Sequence, residues 1–372
     1  MLSFLELTNF GIFKERTFID FKKTKYTSLE DTNTRNNLIK TALFYGPNGS
    51  GKTTILKSVA LLIEMLTLNI PFNADFICNF SKQKISTLKY GFLINGHNII
   101  YSFSVNINGD IKEEKLILDD KEIFSRIGTS ATTTLINNNE SQEVDSKILF
   151  LKILKFSYGL KSIEVLDEWY NFLKNSIIIN ESSKIFRYSR EIEKDSNFAV
   201  FFNNNGQHKI NDFFKNEGIP YTIITKEVNI LNSKQMFVFL KNDIIGNEIE
   251  LRKESYGNII LITYLVYILA VNKNGGMILF DEFGGGLHNK LNELLLRYLN
   301  KNIENAQTFI STHETNLLKT SLTRPDQVYL VEYNKNGAYI KRASEENPRE
   351  AQNLEKMYLA GVFGGVPSYD KN

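Results

Sequence analysis

The stretch Gly46-Pro47-Asn48-Gly49-Ser50-Gly51-Lys52-Thr53 follows the apolar Leu43-Phe44-Tyr45 and leads into Thr54 to Leu68. There Ile55, Val59, Leu62, Ile63 and Leu66 recur on one helical face, so the order is strand, glycine-rich loop, amphipathic helix. The loop fits G-x-x-x-x-G-K-[ST] in the context that motif requires. A triphosphate is a dense cluster of negative charge and needs backbone N–H groups pointing inward. Gly46, Gly49 and Gly51 let the loop curl closely, and the helix N-terminus adds a favourable dipole. Lys52 is predicted to reach the β- and γ-phosphates of ATP, and Thr53 to offer its hydroxyl to Mg²⁺. The plain alternative is a glycine-rich turn with an accidental Lys-Thr, and the correct flanks count against it.

Further along, Met277 to Phe280 is a short apolar run ending in Asp281-Glu282, as in a buried parallel strand that delivers carboxylates at its C-terminal end. Asp281 is expected to orient Mg²⁺, directly or through water, and Glu282 to polarise an attacking water as general base. A second such strand, Thr308 to Ile310, ends in Ser311-Thr312-His313, which places His313 within reach of the γ-phosphate. Two acids at a strand end are more often a solvated turn, and a lone histidine more often a satisfied one. The order of motifs is what favours the catalytic roles. His288 gives a weaker hint, and Gly284 to Gly286 read as a flexible turn. Glu254-Ser255-Tyr256-Gly257 precedes the apolar Ile259 to Val271. Ser255 can cap that helix, or bind the γ-phosphate of a nucleotide held by another subunit, and geometry permits both.

The 372 residues, with 42% hydrophobic and 23% charged and a net charge of +2, are ordinary globular composition for one large or two modest domains. Disorder and collagen are excluded. The single Cys78 allows no internal disulfide, and four histidines make no familiar zinc cluster, which points to a reducing cytoplasm. The opening MLSFLELTNFGIF does not read as a secretory signal, and Ile259 to Val271 falls short of the roughly 20 residues of a membrane span. No membrane partner is expected. Balanced charge argues against a protein that coats nucleic acid, although a local basic patch stays compatible with one.

Residues 2–21 read as strands around Asn9-Phe10-Gly11, and Leu88 to Ile94, Asn98 to Ile107 and Ile111 to Leu118 as a meander. Ser125 to Ser146, rich in Thr, Asn and Ser, reads as a linker. Lys147 to Lys174 and Ile210 to Asn216 read as helices, with Asn203 to Gly206 an exposed loop. Sheet texture returns at Gln235 to Leu240 and Glu248 to Leu251. The expected fold is α/β with a mixed sheet, an antiparallel β subdomain and a helical insertion. Its parts are residues 1–127, 128–234 (linker and mainly helical insertion) and 235–372.

This order of motifs resembles the ABC-type ATPase heads of the SMC and RecF kind, whose first strands LTNFGIFKE (7–15) also resembles. RPDQVYLVEYNKNG (324–337) and NLEKMYLAGVFGGVP (353–367) are similar to the AbiL-type abortive-infection ATPases of phage defence. In such heads two subunits sandwich two ATP molecules. The resemblance implies that Gly46, Pro47, Asn48, Gly49, Ser50, Gly51, Lys52, Thr53 and Thr54 surround the phosphates, and that Ser255 and Gly257 form a signature acting on the partner's nucleotide. It also implies that Asp281 and Glu282 serve Mg²⁺ and water, and that His313 is the switch histidine.

The chain departs from that pattern at Asn258-Ile259-Ile260 and at Phe283-Gly284-Gly285-Gly286, which implies slow, regulatory hydrolysis. No convincing glutamine completes the Mg²⁺ shell, and Gln83 is the candidate. With no nuclease cluster, nucleophile triad or deaminase signature, toxic chemistry is expected from a separate effector. For AbiL-type ATPases the resemblance implies a Toprim-type, RloB-like protein. The alternative is an SMC/RecF-like ATPase acting directly on DNA in repair or chromosome maintenance, which a long coiled coil would favour; no sustained heptad tract is visible. A transporter ATPase is third.

Overall fold

The computed structural model describes residues 1–68, 70–135, 141–157, 163–180, 185–188, 201–230 and 233–366. Its centre is a seven-stranded sheet in the spatial order Ile185–Tyr188, Ile177–Asn180, Gly276–Asp281, Ala306–Ser311, Thr41–Tyr45, Val328–Asn334, Gly337–Arg342. The inner pairs are parallel and the outermost pair at each end is antiparallel. Every residue of Thr41–Tyr45, Gly276–Asp281 and Ala306–Ser311 is buried, as parallel strands covered on both faces require. The alternation of side chains splits each strand between two cores. Ala42 and Phe44 pack in one with Ile55 and Val59 of the Lys52–Ile63 helix, while Leu43 and Tyr45 pack in the other with residues of the Tyr256–Asn274 and Asn289–Asn302 helices.

Against the first core lies an eight-stranded antiparallel sheet. Leu2–Thr8 pairs with Thr17–Asp20 and with Ile85–Ile94, and the meander continues through His97–Asn106, Ile111–Leu118 and Lys121–Ile127. Asn95 and Gly96 both take positive φ, +49° and +85°, the two-residue turn that matches strand twist. The expected polar linker at Ser125 to Ser146 carries two further strands, Ser130–Thr133 and Gln142–Glu143. Polar composition misleads here because a strand of an antiparallel sheet with one solvated face needs only one buried face: Ala131 and Thr133 point in, Ser130 and Thr132 out.

Residues 128–234, expected to be mainly helical, hold strands as well. The Phe150–Ser157, Glu164–Lys174 and Gln207–Asn216 helices accompany Ile177–Asn180, which enters the central sheet, and Tyr221–Ile230, which pairs with Ser233–Asn242 in a separate three-stranded sheet. Asn203 to Gly206, expected to be a loop, belong to a π-helical turn that runs into the Gln207–Asn216 helix. The Tyr256–Asn274 helix is the one helix among the described residues long and apolar enough, by length and composition, to cross a membrane. Ten of its residues are buried, and nine of them pack in the second core.

The RPDQ part of the tail is a buried clamp. Gln327 donates to the Thr41 carbonyl (3.0 Å) at the base of the phosphate-loop strand, and Arg324 donates to the carbonyls of Tyr26 and Ser28 (2.8 Å each).

Candidate functional site

The phosphate loop leaves the Thr41–Tyr45 strand at Gly46, where a Cβ would overlap the Val331 carbonyl and stand 2.7 Å from Ser50 Oγ. It ends at Gly51, whose φ of +111° starts the Lys52–Ile63 helix. Between them and the opposite strand ends lies a cavity of about 400 Å³. Asn48 to Thr54 form one wall with Ile12, and Glu282, Ser311, Thr312 and His313 form the other. Gly46 and Pro47 support the loop from beneath: Lys52 Nζ donates to their carbonyls at 2.8 and 3.0 Å. Burial lowers the Lys52 pKa, and the carboxylates of Asp281 and Glu282 oppose that.

Asp281 is held from three sides. Thr53 Oγ1 donates to its Oδ1 at 2.9 Å, Ser311 Oγ donates to the same oxygen at 2.6 Å, and Asn180 Nδ2 donates to Oδ2 at 2.7 Å. The Thr53 hydroxyl beside a carboxylate is an all-oxygen set suited to Mg²⁺, and the buried Ser50 hydroxyl has no hydrogen-bond partner among the described residues, which suits a loop built to hold phosphate oxygens. These residues therefore fit Mg-ATP. Asn180 escaped the sequence reading. Its signal was Ile177-Ile178-Ile179 before a polar residue, the pattern of Met277 to Asp281, and its place opposite Asp281 is set by parallel pairing. Gln83 lies outside this cavity. It is exposed, its backbone N–H donates to Ser81 Oγ, and its backbone carbonyl accepts from Asn9 Nδ2.

Glu282 adopts φ +62°, a left-handed conformation that costs a non-glycine residue about 1–3 kcal/mol. Its N–H donates to Ser311 Oγ (2.9 Å) and the next N–H, of Phe283, to the Ser311 carbonyl (2.9 Å). The glycine turn that follows is more than a flexible turn. Gly284 has φ +98°, and a Cβ there would stand 2.6 Å from Asn292 Nδ2 and 2.8 Å from Glu314 Cγ. Burial and the Lys52 charge push the His313 pKa down, with Glu282 opposing, so the imidazole is neutral at neutral pH.

His288 lies outside the cavity, where its Nδ1 accepts from the Lys290 N–H and caps the Asn289–Asn302 helix. Ser255 caps the Tyr256–Asn274 helix, its Oγ accepting from Asn258 N at 3.4 Å. Neither Ser255, which is exposed, nor Gly257 lines the cavity of its own chain. A Cβ on Gly257 would stand 3.3 Å from the Gly286 carbonyl, so the first turn of this helix abuts the segment that follows Glu282. Among the described residues no group of three or more His, Cys, Asp or Glu is placed to hold a metal.

Fold and site together are those of a phosphate-loop ATPase domain with the fold of an SMC head. The chain is similar to an SMC head domain from Thermotoga maritima (TM-score 0.52, 14% identity, 92% of this chain and 98% of that one). It is also similar to an SMC head bound to the C-winged helix domain of ScpA (0.56, 14%, 91% and 97%) and to the Smc head domain with an extended coiled coil bound to the C-terminal domain of ScpA derived from Pyrococcus furiosus (0.53, 13%, 97% and 98%). At such identities these likenesses establish the fold. The chain belongs to the family described as "AAA domain, putative AbiEii toxin, Type IV TA system", matched over residues 42–319. No curated protein matches the sequence.

Proposed function

We propose that this chain is a slow, regulatory ATPase that binds ATP with Mg²⁺ in the cytoplasm and controls a separate toxic effector in anti-phage defence, in the AbiL manner. The observation that carries the reading is the convergence of Lys52, Thr53, Glu282 and His313 on one cavity, with Asp281 hydrogen-bonded to Thr53 beside them. Lys52 would neutralise the β- and γ-phosphates, while Thr53 and Asp281, steadied by Asn180, would hold Mg²⁺. When bound, Mg²⁺ supplies charge neutralisation at the phosphate oxygens. Glu282 would accept the proton of the attacking water, and neutral His313 would hydrogen-bond near the γ-phosphate. The family's description, which names a toxin system, supports the defence role and, with it, a separate, RloB-like effector. Residues 1–127 and 235–372 would be the two halves of the head, with 128–234 between them contributing Asn180. The SMC-like fold keeps a second reading open, direct action on DNA, which cleavage or binding of plasmid DNA by the purified chain would favour.

Exposed Ser255, outside its own cavity, supports a homodimer in which it meets the partner's nucleotide. Ser255→Arg is expected to leave ATP affinity of the monomer unchanged and to abolish ATP-dependent dimerisation in light scattering; a wild-type-like dimer would remove the sandwich from the proposal. Lys52→Ala is expected to lose Mg-ATP binding and, in cells carrying the neighbouring genes, phage protection. Full protection by Lys52→Ala would overturn the regulatory role.

A further inference from the structure

Three consecutive residues of the Asp281 strand end, each with a different task, depend on one residue of the neighbouring strand. The Ser311 hydroxyl donates to Asp281 Oδ1 at 2.6 Å, its oxygen accepts the Glu282 N–H at 2.9 Å, and the Ser311 carbonyl accepts the Phe283 N–H at 2.9 Å. The direction of each bond is fixed by chemistry. An ionised carboxylate only accepts, so the single hydroxyl proton goes to Asp281 and a lone pair is left for Glu282. Ser311 is 1% exposed and ends its strand, and the chain continues through Thr312 to His313.

We infer that Ser311 is a positioning residue for nucleotide hydrolysis: it fixes the carboxylate of Asp281 and the left-handed backbone of Glu282 together, so that the metal-facing and water-facing acids keep one relative placement. The inference rests on the ATPase reading above. Two observations distinguish it from a serine that merely satisfies a buried amide. First, the oxygen it bonds on Asp281 is the one that also accepts from Thr53 of the phosphate loop, so its hydroxyl orients the atom nearest the proposed Mg²⁺ position. Asn180 grips the other oxygen from the opposite strand, which leaves the carboxylate plane held across three adjacent strands. Second, Glu282 stands at φ +62°, a conformation that persists only where its surroundings hold it, and its N–H ends on this hydroxyl. Partners that orient a metal-binding group affect metal affinity or activity by about 10–100-fold.

The test uses the full chain and calorimetric titration of ATP with MgCl₂ or with EDTA, together with steady-state hydrolysis. Ser311→Ala is expected to bind ATP in EDTA as wild type does, to lose about tenfold or more of the Mg²⁺-dependent gain in affinity, and to lower kcat by about 10–100-fold while KM for Mg-ATP rises in step with the lost affinity. Ser311→Thr, which keeps the hydroxyl, is expected to restore both. If the added methyl unfolds the protein, seen as loss of a cooperative melt, Ser311→Cys with its weak donor is expected to fall between alanine and wild type. A Ser311→Ala protein with wild-type Mg²⁺ dependence and kcat, equal losses in EDTA and Mg²⁺, or a Thr or Cys variant that folds yet does no better than Ala, would each overturn the inference. Wild-type protein that binds no Mg-ATP would instead overturn the ATPase reading, and this inference with it.

Discussion

Glu282→Gln is expected to lower ATP turnover roughly 10²–10⁴-fold, the usual contribution of a general base, while ATP still binds. Glutamine keeps the size of the side chain and cannot take a proton. The backbone at 282 is held by Ser311 and Gly284 by its packing against Asn292, so the substitution leaves the scaffold in place. Binding and chemistry are thereby separated. If ATP draws two heads together, the variant should accumulate as an ATP-loaded dimer that wild-type protein forms only transiently. Single-turnover hydrolysis with light scattering under Mg-ATP measures both. Undiminished turnover would exclude Glu282 as the base. His313 would then be the remaining candidate on that wall, and since its pKa is pushed below 6.5 the rate would fall only as pH drops below that value.

What could be read without coordinates follows from where the chemistry is written. A phosphate loop needs fixed residue types at fixed spacing within eight positions, so Gly46 to Thr53 announce themselves. Asp281, Glu282 and His313 sit directly after short apolar runs, and a parallel sheet delivers its functional groups at just such strand ends. Asn180 has no local signature. Its meaning comes from pairing with Asp281, 101 residues away, and Ile177–Asn180 lies in a stretch whose helical neighbours dominate the periodicity. The same limit hid the strand at Ser130–Thr133, where one buried alanine and one buried threonine suffice once a ladder of backbone bonds is available. The glycines after Glu282 look like a flexible turn, yet Gly284 is required by the side chains of Asn292 and Glu314, which come from elements later in the chain. The tail was noticed for its family resemblance. RPDQ acts instead as a fastener between the N-terminal segment and the base of the phosphate-loop strand.

That fastener leads to the largest stability effect expected in the molecule: Arg324→Ala should cost about 3–5 kcal/mol, the price of leaving one member of a buried ion pair uncompensated. Arg324 and Asp326 are both fully buried, with Nε and Nη2 donating to the two carboxylate oxygens at 2.9 Å each. The other guanidinium donors end on the carbonyls of Ser28 and Tyr26, and Asp326 also accepts from Thr24 N at 2.7 Å. Truncation at 324 therefore strips four bonds, three of them fully buried. Urea unfolding should show the loss as a lowered midpoint at unchanged slope. Replacing both partners with apolar residues should recover part of it, because no unpaired charge remains. The pH dependence has a definite sign. Burial alone would raise the Asp326 pKa, but Arg324, the Thr24 N–H and Arg342 together hold it below the usual carboxylate range. A group depressed in the folded state stabilises fully above its unfolded value, about 3.9, and loses that contribution as pH falls through the folded value. Wild-type protein should therefore shed this stability only in acid below about pH 4, and the doubly apolar variant, lacking the group, should lose less over the same range. A single variant that costs under about 1 kcal/mol, the range of a solvent-exposed pair, would mean that water reaches the clamp and that the 24–28 segment is not fastened as described.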